Sequence, residues 1–122
     1  MGKDLSIAVL LDFYGDLLTK KQAQALDLYY NEDLSLAEIA TPLGISRQGV
    51  RDSIKRGEKQ LIDLENTLGL AARFKDLKGE IVSIQEMFGD LQTYIHTYIH
   101  SDKLSDAVNR IGEKLSSITD KL

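Results

Sequence analysis

Residues 35–59 read SLAEIATPLGISRQGVRDSIKRGEK, and they hold the most informative local signals of the chain. Ser35 and Glu38 have the spacing of a capping box, which is typical of the start of a helix. Pro42 supplies no amide donor and disfavours helical geometry in the residue before it, so we expect the helix to stop near Thr41. The first helix of the stretch is therefore predicted to be short.

A longer helix is predicted to follow at once. Gly44 permits the positive backbone angle of a tight turn, and Ser46 is a good N-cap. The helical pattern then runs from about Arg47 to Leu68, and Gly69 offers its end. A short helix, a glycine turn and a capped second helix is the order of a helix-turn-helix.

The flanking sequence is also helical in pattern, and the chain has one proline. A first amphipathic helix is indicated by apolar residues at three- and four-residue spacing, and a capping box at Thr19 and Gln22 starts a second. Residues 71–100 are again helical in pattern. The residues of the first apolar row are Leu5, Val9, Leu10, Phe13, Tyr14 and Leu17. We therefore predict an all-α protein.

After Ser101 and Asp102 the chain ends in apolar residues that alternate four and three apart, which is an a/d heptad seam. The seam consists of Leu104, Val108, Ile111, Leu115, Ile118 and Leu122. Two arrangements satisfy it: a hairpin folded back on residues 81–99, or a seam between two subunits. We predict a helix-turn-helix domain over residues 1–68 and a helical extension over 69–122. The extension is predicted to form a homodimer through Leu104, Val108, Ile111, Leu115 and Ile118.

The long helix of the helix-turn-helix has two distinct faces. At about 100° per residue, one narrow arc holds Val50, Ile54, Gly57 and Leu61 and is predicted to pack on the preceding helices. A row of basic residues four apart lies roughly 110° away and must face solvent. This row, which we call the basic ladder, consists of Arg47, Arg51, Lys55 and Lys59, with Arg56 further round.

The net charge of −4 over 122 residues argues, taken alone, against a nucleic-acid partner. The charge is unevenly distributed, however. Residues 35–60 hold five basic and three acidic side chains, a net +2, whereas residues 1–34 and 61–122 are each at −3. The net charge of the whole chain therefore does not exclude DNA binding.

Several classes of function are disfavoured. There is no cysteine, so disulfides and thiolate nucleophiles are excluded. We find no glycine-rich phosphate loop and no nucleophile with a partnered base, so we predict no enzymatic activity and no cofactor. His96 and His100 are one helical turn apart, yet a zinc site needs three or four ligands, so no metal site is predicted. The longest apolar run, residues 7–11, is too short to span a bilayer, and we expect a cytoplasmic protein.

Three stretches carry a resemblance to a known family: LTKKQAQALDLYY at 18–30, DLSLAEIA at 33–40 and LGISRQGVRDSIKR at 43–56. They resemble region 4 of bacterial sigma factors. Together with Leu11-Asp-Phe-Tyr14 they are similar to the YlxM family of small helix-turn-helix proteins. The resemblance implies a regulatory protein tied to the signal recognition particle pathway, and it carries Ser46, Arg47, Gln48 and Arg51 onto recognition-helix positions.

The sequence thus leads to two functional hypotheses. In the first, a homodimer binds double-stranded DNA at two half-sites, with Arg47, Gln48 and Arg51 reaching base edges beside Ser46, while Lys55, Arg56 and Lys59 contact phosphates. In the second, the same surface binds the protein or RNA of the signal recognition particle and modulates its GTPase without binding DNA.

Overall fold

The computed structural model describes residues 5–122, and these form an all-α protein, as predicted. The helices are α1 (Leu5–Tyr14), α2 (Lys20–Tyr30), α3 (Leu36–Leu43), α4 (Arg47–Leu68), α5 (Leu70–Tyr98) and α6 (Asp102–Lys121). A short 3-10 turn, Gly15–Leu17, follows α1. The described chain contains no strand.

The helices belong to two compact units. The first extends through Ala71 and so includes α1 to α4 and the first two residues of α5. The second comprises Ala72–Leu122, which covers the rest of α5 and all of α6.

The core of the first unit collects apolar side chains from all four of its helices. The buried row predicted on α4 is confirmed: Val50, Ile54, Gly57 and Leu61 are all buried. Its partners come from the preceding helices and include Ile7, Leu10, Leu11, Tyr14, Leu18, Ala25, Leu26, Tyr29 and Ile39.

The prediction of which α1 residues face the core was partly wrong. Val9 is 50% exposed and Leu17 is 60% exposed, whereas Ile7 and Leu11 are buried. The chain leaves the α-helix at Gly15 and continues in a 3-10 turn, so Leu17 no longer follows the helical spacing. Leu18 takes the buried position instead.

Two reciprocal capping boxes start α2 and α3, as predicted. The Thr19 hydroxyl accepts from the Gln22 amide, and the Gln22 side chain accepts from the Thr19 amide. Ser35 and Glu38 repeat this arrangement, with both distances at 3.1 Å. The hydrogen bonds from Ser35 lower the pKa of the Glu38 carboxyl, because they stabilise its ionised form.

The predicted stop of α3 near Thr41 was wrong, because α3 continues through Pro42 to Leu43. The proline lies one residue from the end of the helix, so its missing amide removes one hydrogen bond and leaves little helix beyond it to distort. Gly44, with φ 65°, ends the helix, and its amide donates to the carbonyls of Ala40 and Thr41.

Gly57 brings α4 and α2 into close contact. A β-carbon placed on Gly57 would lie 2.6 Å from Cδ1 of Leu26 and 3.6 Å from Cβ of Gln22. Leu26 is fully buried, and side chains in such cores are closely packed. The glycine lowers the helix propensity of α4, but it permits the close packing of α4 on α2.

Tyr14 and Glu65 cap the first turn of α5. The Tyr14 hydroxyl donates to Oε1 of Glu65 at 2.6 Å and accepts from the Leu70 amide at 3.0 Å. The same Glu65 oxygen accepts from the Ala71 amide at 3.1 Å. Two amides at the start of α5, which have no partner within the helix, are therefore satisfied by side chains from α1 and α4. Burial and the hydrogen bond to Glu65 raise the pKa of Tyr14 above 10.0.

In the second unit, α6 folds back along α5. A β-carbon on Gly112 would lie 2.9 Å from Nε2 of Gln92 and 3.6 Å from the ring of Phe88, so the two helices meet here. Nearer to the connection, Ile95 and Val108 are buried. Leu115 is half-buried, whereas Leu104, Ile111 and Ile118 of the predicted seam are exposed.

None of the helices described for residues 5–122 is long and apolar enough to cross a membrane.

We predict that Gly57→Ala destabilises the protein by about 1–3 kcal/mol, because the added methyl overlaps Leu26. Gly79→Ala is the matched control: its β-carbon meets no atom within 4 Å, so improved helix propensity should stabilise α5 by about 0.5–1 kcal/mol. Urea unfolding followed by circular dichroism measures both changes. Equal effects of the two substitutions would contradict the close approach of α4 to α2.

We predict that Tyr14→Phe lowers the free energy of unfolding, because Glu65 and the Leu70 amide lose a partner. The raised pKa of Tyr14 adds a pH dependence. Its contribution to stability is fully present below pH 10.0 and is lost as the pH rises through the raised pKa of the folded state. We measure the free energy of unfolding from pH 7 to pH 11. It should decline less steeply with pH for Tyr14→Phe than for the wild type. Parallel declines would show that Tyr14 does not titrate as proposed.

Candidate nucleic-acid interface

The turn between α3 and α4 fixes where α4 begins. The Ile45 amide donates to the Ala40 carbonyl at 3.2 Å, which closes the turn around Gly44. The Ser46 hydroxyl then accepts from the Gly49 amide at 3.0 Å and caps α4. Ser46 is thus a structural cap, while its own hydroxyl proton stays available to donate to an acceptor.

Burial of one row of α4 leaves the basic ladder in solvent. Arg47, Arg51, Lys55, Arg56 and Lys59 are all exposed, as the sequence predicts. Across residues 5–122, no hydrogen bond or ion pair engages any of these five side chains. Neither Arg51 with Glu58 nor Arg56 with Asp52 forms the pair that a purely structural role would use. Their charges are therefore available to a partner.

Glu58 turns from the basic ladder toward α2. Its Oε1 accepts from the Tyr30 hydroxyl at 2.6 Å, which ties α4 to the end of α2. Tyr30 packs edge-on against Tyr29, with ring centroids 5.1 Å apart. The hydrogen bond between Tyr30 and Glu58 joins residues 28 positions apart, and helical spacing gives no signal for it.

Gln48 and Asp52 pair with each other on the exposed side of α4. Nε2 of Gln48 donates to Oδ1 of Asp52 at 3.1 Å. Glutamine can contact adenine through two hydrogen bonds, but here one of its donors is already used. The second Nε2 hydrogen and Oε1 of Gln48 remain available, so the hydrogen bond to Asp52 orients the side chain without using all of its hydrogen-bonding groups.

Lys21 is a basic residue that sequence reasoning missed. It lines a shallow groove together with Thr19 and Gln22 from the start of α2 and with Gly49, Asp52, Ser53 and Arg56 of α4. Both Lys21 and Arg56 are exposed. The signal was available, because the capping box places Lys21 in the first turn of α2.

The remaining candidates do not form a comparable site. His96 and His100 are exposed, and residues 5–122 contain no group of three side chains that could hold a metal ion. Tyr94 and Tyr98 lie with ring centroids 4.9 Å apart and are both exposed.

Comparison with known proteins gives a consistent result. A family model described as "UPF0122: Putative helix-turn-helix protein, YlxM / p13 like" matches residues 1–99. A UPF0122 protein of Acetivibrio thermocellus is 43% identical over 122 residues, which cover 98% of this chain and 99% of that protein. A UPF0122 protein of Clostridium novyi is 40% identical and covers 91% of this chain and 96% of its own length.

A UPF0122 protein of Clostridium perfringens is also 40% identical, over 89% of this chain and 99% of its own. The family match spans the whole helix-turn-helix and all of α5, and the relatives extend the similarity along nearly the full chain. The chain therefore belongs to the UPF0122 family of YlxM / p13-like helix-turn-helix proteins.

Proposed function

We propose that this protein binds double-stranded DNA, with α4 as the recognition helix of its helix-turn-helix. The observation that supports the proposal is the basic ladder: exposed cations on α4, away from its buried row, with no partner inside the described chain. In helix-turn-helix proteins the second helix enters the major groove with its N-terminal residues against base edges. The role is one of binding and regulation, without catalysis.

The position of each side chain along α4 suggests its role. Arg47 and Arg51 lie in the first two turns, where an arginine can bind O6 and N7 of guanine through two hydrogen bonds. Gln48 lies between them and would bind adenine through Oε1 and the Nε2 hydrogen that does not donate to Asp52. Lys55, Arg56 and Lys59 lie further along, where they would contact phosphates together with Lys21.

The domain division predicted from the sequence fits this role. We assign DNA binding to residues 1–68 and keep residues 69–122 as the helical extension. The acidic charge of residues 1–34 and 61–122 repels DNA, so we expect modest affinity with a steep dependence on salt.

A second candidate function is binding to the protein or RNA of the signal recognition particle. It is favoured by the net charge of −4, which is unusual for a DNA-binding chain. It also follows from the resemblance to the YlxM family. In this case the basic ladder would contact RNA phosphates or an acidic protein surface.

We predict that Arg51→Ala weakens specific DNA binding about tenfold or more, because one bidentate base contact is worth about 1–3 kcal/mol. Lys55→Ala should weaken binding to all sequences alike and reduce the slope of log affinity against log salt by about 1. The target is selected from random duplexes, and binding is followed by fluorescence anisotropy between about 50 and 200 mM salt.

Arg73→Ala is the matched control, because Arg73 is exposed and lies on α5. It should bind like the wild type. Lack of any duplex binding at about 50 mM salt, or equal affinity of Arg51→Ala and wild type, would rule out the proposal.

The second candidate is tested with the purified particle. If it is correct, the protein co-elutes with the particle or its RNA and changes its GTPase rate, and Arg51→Ala reduces both effects. Duplex binding without co-elution favours the DNA function, whereas co-elution without duplex binding favours the particle.

A further inference from the structure

Asp52 is an acidic residue in the first two turns of α4, the part of the helix that we propose contacts bases. Its side chain is exposed and lies roughly 170° around the helix from the centre of the buried row. Gln48, one turn earlier, is exposed on the same outward face. A carboxylate at this place repels phosphates and so lowers the affinity for DNA. Asp52 therefore does not serve to raise affinity, and its contacts suggest another role.

The Asp52 carboxylate holds the side chain of Gln48. Nε2 of Gln48 donates to Oδ1 of Asp52 at 3.1 Å. Arg56, one turn further along α4, lines the same shallow groove as Asp52. Among residues 5–122, however, no ion pair joins Arg56 to Asp52. The contact that Asp52 makes on α4 is thus with a side chain that we propose contacts a base, and not with a neighbouring cation.

This hydrogen bond determines which end of the Gln48 amide faces Asp52. An ionised carboxylate can only accept hydrogen bonds, and Oε1 of Gln48 is also an acceptor. Turning the amide over would place Oε1 against the carboxylate, where the two oxygens repel each other. Nε2 therefore stays beside Asp52. The groups of Gln48 that remain for a partner are Oε1 and one of the two Nε2 hydrogens, which is one acceptor and one donor.

The remaining acceptor and donor of Gln48 match adenine and do not match guanine. In the major groove adenine presents the acceptor N7 and the amino donor N6, whereas guanine presents two acceptors, N7 and O6. Oε1 of Gln48 would therefore pair with the amino group of adenine but would oppose O6 of guanine. Without Asp52, both Nε2 hydrogens are free, and the amide can turn to donate to guanine.

We propose that Asp52 is a positioning residue that makes Gln48 select adenine over guanine at one position of the bound duplex. Asp52 acts through Gln48 and needs no contact with a base. The inference rests on the proposed DNA binding and adds to it the identity of a base. Arg47 and Arg51 favour guanine, so the Gln48–Asp52 pair supplies a different preference on the same helix.

The test measures base preference with duplexes selected from a random library. The position that Gln48 contacts is the one at which Gln48→Ala loses its preference, and duplexes that differ only there are compared by fluorescence anisotropy. The wild type should bind the adenine duplex at least about fivefold more tightly than the guanine duplex, the lower end of what a bidentate contact contributes. Asp52→Ala should reduce this ratio to within about twofold of unity, because the Gln48 amide is then free to turn.

Two further variants separate positioning from charge. Asp52→Glu keeps an acceptor-only carboxylate one turn from Gln48, so it should restore the adenine preference to within about twofold of wild type. Asp63→Ala is the matched control, because Asp63 is an exposed acid of α4 about three turns beyond Asp52. It removes the same charge and should keep the wild-type preference. Circular dichroism checks that every variant keeps its helical content.

The outcomes distinguish the role of Asp52 from DNA binding itself. A wild-type preference for adenine in Asp52→Ala, with duplex binding intact, would overturn the positioning role alone. Base preferences unchanged in Gln48→Ala, or no recovery in Asp52→Glu, would overturn it as well. An equal loss of preference in Asp63→Ala would show that charge is responsible and not positioning. Lack of duplex binding by the wild type would instead overturn the DNA function, and the role of Asp52 with it.

Discussion

The close packing of one row of α4 on the preceding helices is the constraint on which the first unit depends. Val50, Ile54 and Leu61 are fully buried, and Gly57 lets α4 approach Leu26 of α2 more closely than any other residue would. A helix has one inner face, so this row also determines which side chains point to solvent. The exposure of the basic ladder is thus a consequence of core packing, and the surface that we propose for DNA is fixed by residues that never touch it.

Much of this unit could be predicted from local sequence signals. The two capping boxes and the cap at Ser46 gave the starts of α2, α3 and α4 correctly, and Gly69 gave the end of α4, because each signal acts over three or four residues. The buried row of α4 followed from helical periodicity. The error at Pro42 came from applying a rule for helix interiors at a position one residue from a helix end, where the rule has little force.

Other features of the site could not be predicted from the sequence, either because they join distant residues or because local spacing leaves several partners open. The hydrogen bond from Tyr30 holds the Glu58 carboxylate, so that this acid does not pair with the basic ladder. No spacing rule connects α2 with α4 in this way. The pairing of Gln48 with Asp52 is local, yet the i, i+4 spacing alone does not tell which exposed side chain Gln48 chooses. The heptad seam was visible in the sequence, but its division into an inner and an outer row depended on how α6 folds back on α5.

The cap at the start of α5 has a consequence for the order of folding. Each capping box closes a loop of three residues, so its entropic cost is small and it can form while the rest of the chain is disordered. Tyr14 and Glu65 are 51 residues apart, and they meet only after α1 has docked on α4. We therefore expect the cap of α5 to form later than the capping boxes, because its two side chains meet only in an assembled core.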